Sequence, residues 1–226
     1  MMTLTSTRGP APHGGRPILA SGVAPSRARG AVVMLHGRGG SAEDILSLSA
    51  YVRQGDLAFV APAAAGNVWY PQRFMEPRAV NAPYLGAALE TVSNLLDDLN
   101  AAGLPDERIV LLGFSQGACL ALETAARRPA RYGGVVALSG GLIGADAELW
   151  QGDTKLADTP VLIGCSERDG HIPLTRVEAS AERFEKSGAA VTKRIYPGSS
   201  HGVNDDEIGL LRTLLTGLGA PASQRT

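Results

Sequence analysis

Ile109-Val110-Leu111-Leu112-Gly113-Phe114-Ser115-Gln116-Gly117-Ala118 is the stretch on which the fold of this chain turns. The apolar run from Arg108 to Leu112 reads as a short buried strand, and Ala118 to Arg128 reads as a helix. Between them stands G-x-S-x-G, in the strand–turn–helix setting of a nucleophile elbow. A serine hydroxyl attacks poorly until a turn presents it and a base removes its proton. Gly113 and Gly117 allow strand and helix backbones to approach closely, which leaves Ser115 at the apex in a sparsely populated conformation. A serine at an ordinary glycine-rich bend shows the same five letters, so the flanking pattern and partners elsewhere must carry the reading.

Outward from the elbow, apolar runs alternate with helical patterns, which is the signature of a parallel sheet covered on both faces. The runs are Ala31 to Leu35, Leu57 to Val60, Ile109 to Leu112, Val135 to Leu138, Val161 to Ile163 and Val191 to Tyr196. Ile18 to Val23 is a candidate edge strand. Ser41 with Asp44 starts a helix in capping-box fashion, expected to run to about Arg53. Leu85, Ala88, Leu89, Val92, Leu95, Leu96 and Leu99 recur at helical spacing, and that helix should stop near Gly103 and Pro105. Leu174 to Lys186 forms another helix, ending by Gly188. Asn204 caps a last one, with Ile208, Leu211, Leu214, Leu215 and Leu218 facing inward. One connection, Pro62 to Pro83, has no clear period and carries Trp69, Tyr70, Phe74 and Met75. It is expected either as one wall of a binding cleft or as an ordered loop packed on the sheet edge.

With 226 residues, 44% hydrophobic and 19% charged, the chain can bury one core, and a split into two domains is not expected. Residues 1–16 are polar and read as a flexible arm, 17–219 as one domain, and 220–226 as a tail. A net charge of −1 without a basic run argues against nucleic acid and anionic membrane surfaces as partners. The first residues lack the apolar core of a signal peptide, and no segment approaches a membrane span, so a cytoplasmic protein is expected. The two cysteines, Cys119 and Cys165, lie in apolar runs without metal-ligand spacing and read as small core residues.

The serine needs a base, a group to orient that base, and donors for an oxyanion. Of four histidines, His13 lies in the polar arm, and His36 opens the glycine-rich turn His36-Gly37-Arg38-Gly39-Gly40. His171 shares a loop with the best acid candidate and reads as a loop or cleft-lining residue. His201, in the loop between the last strand and the last helix, is the expected base. Asp169 follows the Val161 strand at its C-terminal end and is the expected acid. Asp106, Asp153 and Asp158 precede strands and so belong to the opposite end of the sheet. The order Ser115, Asp169, His201 is that of the α/β-hydrolases. The amide of Gln116, at a helix N-terminus, and that of Arg38 are the expected oxyanion donors. Arg38's side chain reads either as a holder of an acidic substrate group or as a solvated surface arginine.

Taken together, Leu35-His36-Gly37-Arg38-Gly39-Gly40, the elbow, Asp169 with Ile172-Pro173, and Tyr196-Pro197-Gly198 leading to His201 resemble the phospholipase/carboxylesterase family of small α/β-hydrolases. The resemblance spans about Gly30 to Leu215. Trp69-Tyr70-Pro71 with Phe74 is similar to a segment of a bacterial branch. It implies an α/β-hydrolase fold with a mostly parallel sheet, helices on both faces and no large lid domain. It also implies a Ser115/His201/Asp169 triad, oxyanion amides at Gln116 and Arg38, and no cofactor or metal. Gly40 stands where many relatives carry Asp, a departure that bears on loop geometry and substrate preference. The expected function is a serine carboxylesterase acting on small-molecule esters or thioesters. Alternatives are a lysophospholipase, a lactone hydrolase or a non-catalytic ligand-binding homologue. Trp69, Tyr70, Phe74, Leu142 and Ile143 are the expected acyl-pocket lining. A monomer or a homodimer is compatible with this reading.

Overall fold

The apolar runs pair into one eight-stranded sheet in the computed structural model, which describes residues 2–52 and 54–218. In chain order the strands are β1 (Met2–Ser6), β2 (Pro17–Gly22), β3 (Gly30–Leu35), β4 (Leu57–Pro62), β5 (Ile109–Phe114), β6 (Gly134–Leu138), β7 (Pro160–Ser166) and β8 (Ala190–Tyr196). Across the sheet they lie in the order β1-β2-β4-β3-β5-β6-β7-β8. The pairs β1·β2 and β2·β4 are antiparallel, and every pair from β4·β3 to β7·β8 is parallel. This is the expected α/β-hydrolase arrangement with one strand more, and the strand expected at the edge around Ile18–Val23 is interior instead, because β1 pairs with its outer side and takes the edge.

Side-chain alternation explains why both faces are covered. Ala31, Val33 and Leu35 of β3 join one apolar cluster, while Val32 and Met34 join the other. β5 divides the same way, Ile109 and Leu111 against Val110 and Leu112. A continuous apolar run with period-two projection needs cover on each side. Helices α3 (Tyr84–Ala101), α4 (Gln116–Arg127) and α5 (Leu174–Lys186) cover the first face. Helices α1 (Ala42–Ser47) and α6 (Asp205–Thr216) cover the second. Along α3, Leu85, Ala88, Val92, Leu95, Leu96 and Leu99 are all buried, as their spacing requires.

Two expectations change. The helix expected from Ser41 to Arg53 is broken: α1 ends at Ser47, and a short α2 (Ser49–Val52) follows. Ser47 Oγ donates to the Asp44 carbonyl at 2.6 Å, a local bond that competes with helix continuation. Arg53 and the tail at 220–226 lie outside the described residues. The second change concerns the arm. Met2–Ser6 pairs with β2, Thr7 and His13 are buried, and Arg8 meets Asp98 at 2.7 Å. Attachment here uses backbone pairing and polar side chains, which leave no apolar period to read.

Strand order reverses at β3: the chain steps from β3 to β4 on one side, then crosses to β5 on the other. Crevices outside the carboxyl ends of the strands at such a reversal are where open α/β sheets bind ligands. Ser115 follows β5 at that place.

Candidate active site

The elbow is built by two close approaches. A Cβ placed on Gly113 would lie 2.1 Å from the Gly117 carbonyl oxygen, and one on Gly117 would lie 2.0 Å from the Leu35 oxygen. No side chain fits either space. Ser115 has φ 54° and ψ −116°, a conformation costing on the order of 1–3 kcal/mol for a non-glycine residue. Bonds on both sides hold it there: its N–H donates to the Leu138 carbonyl at 2.9 Å, and its carbonyl accepts from the Cys119 amide at 3.0 Å. Gly117→Ala is expected to abolish soluble expression or lower stability by several kcal/mol, because backbone, not a flexible side chain, must move. A urea midpoint near that of the parent protein would contradict the close packing.

His201 reaches the elbow from the loop after β8. Its Nε2 lies 2.9 Å from Ser115 Oγ, and its Nδ1 lies 2.7 Å from Asp169 Oδ2. The sequence-read Ser115, His201 and Asp169 are thus one hydrogen-bonded row. Asp169's side chain is fully buried, and its other oxygen, Oδ1, accepts from the amides of His171 at 2.8 Å and Ile172 at 3.1 Å. Burial alone would push this carboxyl up. The His201 bond and the two amides outweigh it and hold the group below the usual carboxylate range. Asp-Gly-His-Ile thus forms an Asx-type turn. Asp106 instead pairs with Arg128 at 2.8 Å, remote from this row.

The row opens into a cleft of about 490 Å³, whose lining includes Tyr70, Phe74, Phe114, Cys119, Ile172 and His171. Of the residues expected to line an acyl pocket, Tyr70 and Phe74 border this cleft. Trp69, Leu142 and Ile143 do not; all three are fully buried in the core. The Trp69 indole N–H donates to the His36 carbonyl at 2.9 Å, which turns the ring beneath the loop. Leu142 and Ile143 lie under a polar lattice instead, with their amides donating to Ser180 Oγ at 2.9 Å and Glu123 Oε2 at 3.2 Å. Phe114 was missed, although it occupies a variable position of the elbow itself; its ring lies 5.1 Å from that of His201. Cys119 contributes to the cleft wall, but burial pushes its thiol up to about 11, so it is not a ready nucleophile.

The Arg38 side chain is exposed yet bonded within the protein. Its guanidinium donates to the carbonyls of Tyr70, Pro71 and Gln72 at 2.9, 2.9 and 2.7 Å. Gln116 works from the other side: Oε1 accepts from the Trp69 amide at 2.9 Å, and Nε2 donates to the Tyr70 carbonyl at 2.8 Å. Both readings of the Pro62–Pro83 connection apply to different residues: Trp69 is packed inward, while Tyr70 to Phe74 form a cleft wall.

His13 and His36 fasten the same connection. His13 Nδ1 accepts from the Ala65 amide at 3.1 Å while Nε2–H donates to the Trp69 carbonyl at 2.9 Å. His36 Nε2 accepts from the Ala64 amide at 3.2 Å, with Nδ1–H on the Gly37 carbonyl at 2.8 Å. Both rings need one unprotonated nitrogen, a tautomer assigned from these partners. Burial lowers both from their ordinary value of 6.5. On unfolding, each ring regains that value, so the unfolded chain binds more protons as pH falls. The stability they support is complete above 6.5 and declines as pH drops through 6.5 toward the lower folded values. Glu207, raised by burial, acts in the opposite sense at lower pH. Histidine-resolved NMR should therefore find both rings titrating below the midpoint of a free imidazole, and so less protonated than a free imidazole at the same pH. Titration of either ring with an unshifted midpoint would contradict these bonds.

Comparison with known proteins bears on the family and the fold. The phospholipase/carboxylesterase family model matches residues 23–217. The chain is similar to acyl-protein thioesterase 1 of Saccharomyces cerevisiae, 28% identical over 204 residues, covering 80% of this chain and 89% of that protein. Its match to the acyl-protein thioesterase 1 of Gibberella zeae is 31% identical over 124 residues, 54% of this chain and about half (53%) of that protein's length. The crystal structure of a phospholipase/carboxylesterase from Dyadobacter fermentans superposes with a TM-score of 0.83 at 39% identity, over 95% of this chain and 100% of that one. Among the described residues, no helix is long and apolar enough to cross a membrane. On the family match, the shared fold and the elbow that both require, this chain belongs to the phospholipase/carboxylesterase family, and with it to the ester hydrolases of the α/β-hydrolase fold.

Proposed function

We propose that this protein is a serine esterase that cleaves carboxylic esters or thioesters through an acyl-enzyme, with Ser115 as nucleophile. The observation that carries the reading is the unbroken row Ser115 Oγ, His201 Nε2, His201 Nδ1 and Asp169 Oδ2, at 2.9 and 2.7 Å, at the opening of the cleft. His201 takes the serine proton as Oγ attacks the substrate carbonyl. Asp169 keeps the imidazole in the tautomer with Nδ1–H and stabilises the imidazolium that forms. The alcohol or thiol leaves with the proton that His201 returns, and water then attacks the acyl-enzyme with His201 again as base.

The oxyanion donors in this reading are the amides of Gln116 and Arg38. Gln116 is the first residue of α4, so its N–H has no partner within the helix and sits at the positive end of the helix dipole. The turn carrying Arg38 lies against the nucleophile, since a Cβ on Gly37 would fall 3.3 Å from Ser115 Cβ. Both side chains are fastened to residues 69–72, which holds their backbones still. One such donor typically lowers the barrier by ~3 kcal/mol.

A lysophospholipase or lactone hydrolase would use the same machinery, so pocket chemistry decides between them. A ligand-binding protein that has lost catalysis is disfavoured because all three members of the row are present and bonded. A fluorophosphonate probe tests the reading. The adduct should map to the peptide bearing Ser115 and vanish in Ser115→Ala. Labelling at another residue, or none under conditions that label a control serine hydrolase, would overturn it.

A further inference from the structure

Every charged or ionisable side chain lining the cleft, apart from the Cys119 thiol and the Tyr70 phenol, is basic: Arg38, Arg73, His171 and His201, with no Asp or Glu among them. The clustering is not inherited from composition, because the chain as a whole has a net charge of −1. Arg38 is held by three neutral carbonyls, so its charge has hydrogen bonds but, among the described residues, no counter-ion. By contrast, Arg78, Arg128 and Arg176, each also held by several bonds, each meet a carboxylate. Asp44 lines a neighbouring pocket that shares Arg38, but its Oδ2 accepts from the Ser41 amide at 2.9 Å and caps α1.

Arg73 is the second guanidinium in the wall, and its setting differs. The backbone around it is pinned by the fully buried Asn81, whose Oδ1 accepts from the Gln72 amide at 2.8 Å and whose Nδ2 donates to the Arg73 carbonyl at 3.1 Å. The side chain is exposed, and among the described residues its guanidinium meets no hydrogen-bond acceptor or carboxylate. A fixed backbone thus presents a free cation beside the apolar surface of Phe74, Phe114 and Ile172. A planar guanidinium so placed is suited to a carboxylate or phosphate on whatever occupies the cleft.

We propose that the cleft selects esters or thioesters that carry an anionic group away from the scissile carbonyl, and that Arg73 meets that group while the Arg38 charge reinforces it. The inference rests on the esterase reading above and adds a substrate class to it. Arg73 is a specificity residue here; it touches substrate but takes no part in proton transfer.

Two substrate pairs test this and separate the two places an anion can sit. Monoethyl glutarate against ethyl methyl glutarate probes the acyl side; 4-acetoxybenzoate against its methyl ester probes the leaving-group side. The reading is the ratio of kcat/KM, anionic over neutral, in the full chain. An exposed ion pair favours the anionic member about fivefold in at least one pair, mainly through KM, and less at high salt. Arg73→Gln should remove that preference and Arg73→Lys should retain part of it. Equal or inverse preference in both pairs, or a ratio untouched by Arg73→Gln, would overturn the inference. If the neutral esters are still hydrolysed and Ser115 still labels, only this inference falls. If no ester is hydrolysed and no phosphonate reacts, the esterase reading falls and takes the inference with it.

Discussion

Ser115→Ala is expected to lower kcat for a short-chain p-nitrophenyl ester by on the order of a millionfold. The variant keeps Gly113, Gly117 and the bonds that hold residue 115 at positive φ, so the fold should persist. It loses only the bond from Oγ to His201, worth roughly 1 kcal/mol. Stability and turnover thus separate: a urea midpoint close to the parent's, with residual hydrolysis near the solution rate. Turnover within about tenfold of the parent would mean another group attacks the carbonyl. Cys119, one helical turn on, is the nearest sulfur by sequence, but its thiol is held at about 11 and would remain protonated at neutral pH.

Asp169→Asn should cost about 10⁴-fold in kcat, for a reason that can be followed atom by atom. Asparagine is nearly isosteric and keeps Oδ1 as acceptor for the His171 and Ile172 amides. That places its NH₂ where Oδ2 now accepts from His201 Nδ1. The imidazole must then offer Nδ1 as an acceptor and carry its hydrogen on Nε2, facing Ser115. A nitrogen that already holds a proton cannot take the serine's. Near-parent kcat in a correctly folded Asp169→Asn variant would show that the carboxylate neither fixes the tautomer nor stabilises the cation. Asp169→Ala is a poorer probe, because it also strips two backbone amides of their acceptor.

Much of the arrangement could be read from the letters because it rests on periodic burial and steric necessity. Apolar runs such as Val32 to Leu35 and Ile109 to Leu112 must be covered on both faces, and only a parallel sheet between helix layers does that. The elbow glycines have no room for a side chain, so their positions mark the turn as firmly as any hydrophobic pattern. Asp169 and His201 followed from chain order and from the end of the sheet at which each loop emerges.

What escaped shares a different physics. Trp69 was expected in the cleft because an aromatic in an irregular segment reports burial but not direction. Its indole is turned inward by one hydrogen bond to the His36 carbonyl. Leu142 and Ile143 were misplaced for the same reason. His13 stood in a polar stretch that looked unattached, yet it is buried and bonded to backbone at both nitrogens. Side chains that satisfy isolated backbone groups leave no period behind, and their partners lie dozens of residues away. Arg38 and Gln116 show the limit most clearly. Their backbone amides were assigned from position, while their side chains proved to hold the loop that shapes the cleft.

The central claim is a covalent intermediate on one named oxygen. Acid-quenching the enzyme within its first turnovers of p-nitrophenyl butyrate, followed by peptide mass spectrometry, tests it directly. One butyryl group should appear on the peptide spanning the elbow, localised to Ser115 and absent from Ser115→Ala. Butyrylation of a different residue, or turnover with no acylated protein in the quenched sample and no burst of p-nitrophenol, would contradict it.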